Sequence, residues 1–152
     1  MSDDLEDLYQ DIILDHNRRP RNSHEMVDST HNAEGVNPLC GDEITVYLKL
    51  LDEKIEDISF KGQGCAISQA SASLMTEIIK GLSLPDVRKQ SDILQKLLIT
   101  DEDNPNALFE YGNLAALSGV RKFPARIKCA SLAWHALEAA LQGQTSITTE
   151  DE

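Results

Sequence analysis

The stretch Glu43-Ile44-Thr45-Val46-Tyr47-Leu48-Lys49-Leu50, followed after Asp52-Glu53-Lys54 by Ile58-Ser59-Phe60, decides the fold. Ile44, Val46, Leu48 and Leu50 alternate with Thr45, Tyr47 and Lys49, the period-2 signature of a half-buried strand. The polar triplet at 52–54 reads as a turn. Ile58 and Phe60 carry the inward face onto a second strand, so the two form an antiparallel hairpin.

Outward from this hairpin the spacing becomes helical. Leu5, Leu8, Tyr9, Ile12 and Ile13 predict an amphipathic helix from about Leu5 to His16, which Pro20 stops. Asn22 to Pro38 is polar and turn-rich, with room for one short strand. Gly62-Gln63-Gly64 breaks the second strand, and Ile67, Ser71, Leu74 and Ile78 then predict a helix ended by Gly81. Ser83 caps the next helix, with Pro85 in its first turn and Val87, Leu94, Leu97 and Leu98 inward. Asp101 to Asn106 reads as a turn, with short helical pieces to Leu117. The last helix opens near Pro124 and carries the stripe Ile127, Ala130, Trp134, Leu137 and Leu141. Cys129 lies off that stripe, on a flank with Ala133, Ala136 and Ala140 that lets another backbone come close. The expected architecture is α+β, a small antiparallel sheet with helices packed on one face. One domain spans 1–143, and a disordered acidic tail follows over 144–152.

With 152 residues, 41% hydrophobic and 26% charged, the chain reads as one soluble globular domain. Its net charge of -12 argues against nucleic acid, whose phosphates are bound by clustered Lys and Arg. Apolar runs fall far short of the ~20 residues a membrane span needs. The opening Met1-Ser2-Asp3-Asp4 is acidic where a secretory signal is basic and then apolar, so the expected compartment is cytoplasmic. There, three cysteines speak for thiol chemistry, metal binding or plain burial, not for disulfides. Arg18-Arg19-Pro20-Arg21 stands out as a basic cluster, a solvated loop or a docking patch.

Each cysteine stands at the edge of an expected element. Cys40 lies in Pro38-Leu39-Cys40-Gly41-Asp42, where Gly41 permits a tight bend that brings thiol and carboxylate toward one point. Cys65 follows a Gly-rich turn at the start of a helix, whose positive end favours a thiolate. Cys129 occupies the first turns of the last helix, beside Arg126 and Lys128. Three thiolates and one carboxylate complete a tetrahedral set suited to Zn²⁺, although no CxxC pair is present. His16, His24 and His31 read as solvated, and His135 as turned away from Cys129.

Cys40-Gly41-Asp42, Gly62-Gln63-Gly64-Cys65 opening a helix, Arg126-Ile127-Lys128-Cys129 and the N-terminal Asp15-His16-Asn17-Arg18-Arg19-Pro20 together resemble the U-type iron–sulfur assembly proteins. Lys128, where the IscU scaffold branch has histidine, and the added segment from Gly81 to Val120 match the SufU branch. That resemblance implies a zinc-dependent sulfurtransferase that takes persulfide sulfur from a SufS-type cysteine desulfurase and serves other cluster-assembly proteins. It implies Cys40, Asp42, Cys65 and Cys129 as zinc ligands and Cys40 as sulfur acceptor, with Arg126 and Lys128 facing the partner. The same thiolates also suit a scaffold for a [2Fe–2S] cluster, or a zinc-stapled interaction domain.

Overall fold

The computed structural model describes residues 2–100 and 109–149. Helix α1 (Ser2–Arg18) ends before Pro20, and β1 (His31–Asn37), β2 (Asp42–Leu51) and β3 (Lys54–Gln63) follow. Next come α2 (Ala66–Ile79), α3 (Leu84–Ile99), a 3-10 segment (Phe109–Lys122) broken at Gly112, α4 (Pro124–Leu141) and β4 (Ser146–Thr148). The expected turn at 101–106 lies outside the described residues.

The hairpin read from the sequence is β2–β3, antiparallel, with Val46 opposite Phe60 and Leu48 opposite Ile58. Asp52 and Glu53 turn it with φ of 53° and 64°, the positive pair that matches the right-handed twist of the strands. Antiparallel β1 continues the sheet on the far side of β2, and β4 lies parallel to β1 at the edge, giving the order β3-β2-β1-β4. The sheet is therefore mixed, not wholly antiparallel. The segment expected to be a disordered tail supplies its fourth strand, because Glu34, Gly35 and Val36 offer Ser146, Ile147 and Thr148 a free edge to pair with. Residues 150–152 lie outside the described residues.

Helices α2 and α4 cover one face of the sheet, over buried Ala33, Ile44, Val46, Leu48, Ile58 and Phe60. Helix α4 touches the sheet on one side and α2 on another, so its alanine flank is as buried as its apolar stripe. The close approach is made at Gly35, where a Cβ would stand 3.0 Å from Leu132 Cδ1 and 3.4 Å from Ala136 Cβ. Cys129 shares this burial, although the periodicity placed it off the core stripe.

His16 is also buried, contrary to its reading as a solvated histidine. Its Nδ1 stands 2.7 Å from Ser73 Oγ and its Nε2 3.3 Å from Glu77 Oε1, which ties α1 to α2. The loop after α1 continues this seam, with Arg21 N–H donating to Ser73 Oγ and Asn22 Nδ2 to Thr76 Oγ1. Among the described residues, no helix is long and apolar enough to cross a membrane.

Candidate metal centre

The inward-facing rows of β1 and β2 are apolar for most of their length and become polar at one end. Ala33 and Gly35 lead to Asn37, and Leu48, Val46 and Ile44 lead to Asp42. Asn37 and Asp42 are register partners, joined by the turn Pro38-Leu39-Cys40-Gly41, in which Cys40 N–H donates to Asn37 O and Gly41 takes φ of 71°. The first turns of α2 and α4 face this polar end, with Cys65 as the N-cap of α2 and Cys129 in the second turn of α4.

The ligand atoms of Cys40, Asp42 and Cys129 all lie within 4.8 Å of one another. Cys65 stands outside that triad and is tied to it through its backbone N–H, which donates to Asp42 Oδ1. Asp42 is fully buried and its carboxylate is held from three directions. Oδ1 accepts from Cys65 N–H at 2.8 Å and from Ser68 Oγ at 3.2 Å, and Oδ2 accepts from Asn37 Nδ2 at 3.1 Å. Gly64 makes room for this arrangement, because a Cβ there would overlap Asp42 Oδ1.

Cys129 is fully enclosed, whereas Cys40 and Cys65 are half-buried. Burial pushes the Cys129 thiol far above its ordinary range, and hydrogen bonds with the Asp42, Cys40 and Cys65 side chains act in the same direction. A cation at the cluster is what would ionise it, since a thiol binds metal as thiolate. The exposed Arg126 guanidinium is drawn toward the Cys65 and Cys129 sulfurs, which raise its pKa further. Lys128 is half-buried and donates from Nζ to the Thr149 carbonyl at 3.3 Å.

Every cysteine and the aspartate singled out in the sequence thus come to one end of the sheet. Asn37, Ser68 and Thr149 were not foreseen, whereas Gly64 stood in the Gly62-Gln63-Gly64-Cys65 motif as a strand breaker with no tie to Asp42. Thr149 Oγ1 donates to Asn37 Oδ1 at 3.1 Å across most of the chain. Only Ser68, a small polar residue in the first turn after Cys65, carried a local signal. A mixed set of thiols and one carboxylate at this spacing fits a tetrahedral thiophilic ion of zinc's kind.

Fold and site together define a class, the small α+β domains that present clustered thiol and carboxylate donors at one end of a helix-covered sheet. Residues 8–150 match the NifU-like N terminal domain, and the chain belongs to this family, in which similar proteins are named SufU and IscU of iron–sulfur cluster assembly. It is 43% identical over 134 residues to the zinc-dependent sulfurtransferase SufU of Bacillus subtilis (strain 168), covering 88% of this chain and 89% of that protein. It is 41% identical over 138 residues to the iron-sulfur cluster assembly scaffold protein IscU of Streptococcus pyogenes serotype M1, covering 91% and 85%. A crystal structure described as an iron-sulfur cluster assembly scaffold of the SUF system from Fervidobacterium islandicum AW-1 superposes with a TM-score of 0.76 at 33% identity, covering 86% of this chain and 93% of that one.

Proposed function

We propose that the chain is a sulfurtransferase of iron–sulfur cluster biogenesis, with zinc held by Cys40, Asp42, Cys65 and Cys129 and with Cys40 accepting persulfide sulfur from a cysteine desulfurase. The observation that carries this reading is the convergence of a half-buried turn cysteine, Cys40, with buried Asp42 and Cys129. Bound zinc supplies the positive charge that keeps the thiols deprotonated. Asp42 is already oriented by three donors, and Cys129 is anchored in a helix that cannot shift without disturbing both the sheet and α2. Cys40 is carried by a turn, flanked by exposed Leu39, so its half-buried thiol is open to a partner and free of the helix that fixes Cys129.

In the transfer step the Cys40 thiolate attacks the outer sulfur of the desulfurase persulfide. A sulfur–sulfur bond forms on Cys40, the enzyme's own sulfur–sulfur bond breaks, and the desulfurase cysteine leaves as thiolate. Arg126, exposed beside the sulfurs, is suited to meet the negative charge of the incoming persulfide.

The test is turnover of the organism's own cysteine desulfurase with the zinc-loaded protein and a reductant. A large rise in turnover that disappears in Cys40→Ala supports sulfur acceptance. No rise, with zinc bound, defeats it. The second reading, a scaffold on which a [2Fe–2S] cluster is built and passed on, is supported by the IscU-named relatives and by the same three thiols. A stable, sulfide-containing protein after anaerobic reconstitution that delivers its cluster to an apo-acceptor would favour it.

A further inference from the structure

Asn37 and Thr149 form a buried pair behind the donor cluster. Thr149 donates its hydroxyl to Asn37 Oδ1, which leaves Nδ2 facing the cluster, 3.1 Å from Asp42 Oδ2 and 3.5 Å from Cys129 Sγ. The opposite amide orientation would set Oδ1 against a carboxylate and a sulfur, acceptor against acceptors. Lone pairs on Asp42 are then unequal. Oδ1 accepts two hydrogen bonds and has none to spare, while Oδ2 accepts one and keeps one free.

We propose that Asn37 is a positioning residue of the metal centre and that Thr149, delivered by β4, fixes which face of its amide the donors meet. The inference rests on the metal reading given above, not on sulfur transfer. Asn37 turns Asp42 so that Oδ2 alone is offered to the ion. Its N–H beside the Cys129 sulfur draws charge from that thiolate, which makes Cys129 an anchor and leaves Cys40 the more nucleophilic partner. Lys128 reinforces the arrangement by holding the Thr149 carbonyl.

The experiment uses the full chain, titrated with zinc against a chromophoric chelator and with cobalt(II) as a spectroscopic stand-in. Thr149→Val should weaken zinc binding roughly 10-fold and shift the cobalt–thiolate charge-transfer bands, and Asn37→Ala should approach ~100-fold. Thr149→Ser restores both readouts. Ile147→Ala loosens β4 where it packs on the core without removing either polar partner. It should lower Tm yet keep the wild-type cobalt spectrum and affinity. Wild-type affinity and spectrum in Thr149→Val would overturn the proposal, as would Ile147→Ala reproducing every loss seen in Thr149→Val. If the wild-type chain takes up no zinc, the metal reading fails and this inference fails with it. Zinc uptake without sulfur acceptance would sink only the transferase reading.

Discussion

Consider Gly64→Ala. Gly64 has φ of 154°, and a methyl group there would overlap Asp42 Oδ1 while standing 2.8 Å from Ser68 Oγ and 3.0 Å from Asp42 Cα. Neither the buried carboxylate nor the strand backbone is a flexible tip that can swing aside. Relief therefore means displacing Oδ1 from Cys65 N–H and Ser68. The backbone penalty is about 1–3 kcal/mol. Breaking a hydrogen bond to a buried charged acceptor adds about 1.5–3 kcal/mol. The expected loss of about 2.5–6 kcal/mol is large against a total stability of roughly 5–15 kcal/mol. Gly81→Ala is the control, since Gly81 also has positive φ, 85°, but a methyl group there meets nothing within 4 Å. It should cost only about 1–2 kcal/mol. Urea unfolding of the metal-free variants gives the stabilities, and chelator competition should show zinc affinity at least ~10-fold weaker in Gly64→Ala alone. Equal midpoints and equal zinc affinities for the two variants would refute the argument that Gly64 is there to admit the Asp42 carboxylate.

Burial lowers the His16 pKa, with Arg21 adding to the effect and Glu77 and Asp15 opposing it. A depressed folded value means the contribution is full above the unfolded pKa of about 6.5 and is lost as pH falls toward the folded one. Stability should thus decline between pH 7 and 5, less steeply in His16→Gln, and parallel slopes in urea titrations would count against a buried neutral His16. Trp134 is fully buried and donates Nε1–H to Ser71 Oγ at 3.2 Å. Trp134→Phe should cost about 1–3 kcal/mol by thermal unfolding with zinc affinity unchanged. Glu53→Gly relieves a non-glycine residue with φ of 64° and should stabilise the protein by about 0.5–1 kcal/mol in the same measurement.

Strand alternation and helical stripes are local, so β2, β3 and the inward residues of α3 were legible in the sequence. Strand β1 was nearly silent because its inward row, Ala33, Gly35 and Asn37, is small or polar where α4 presses against it. Strand β4 has no signal of its own and exists through pairing with β1. His16 was misread for a related reason, since its partners Ser73 and Glu77 come from α2 and nothing near residue 16 announces them. At the site, reactive residue types advertised themselves, whereas Asn37 and Thr149 are ordinary polar residues whose meaning lies in a contact spanning most of the chain.

Cys40, Cys65 and Cys129 come from three elements far apart in the sequence. An ion held by all of them is, in polymer terms, a crosslink closing two long loops at once, and loop-closure entropy grows slowly enough with length for such a knot to form. Binding to the folded chain alone adds about 2.7 kcal/mol when free metal is a hundred times Kd. Chelation should accordingly shorten the protein's survival under limited proteolysis, and an unchanged half-life would contradict the link. On the metal reading proposed above, ion supply would set how long each copy lasts, the empty chains being the first open to proteolysis.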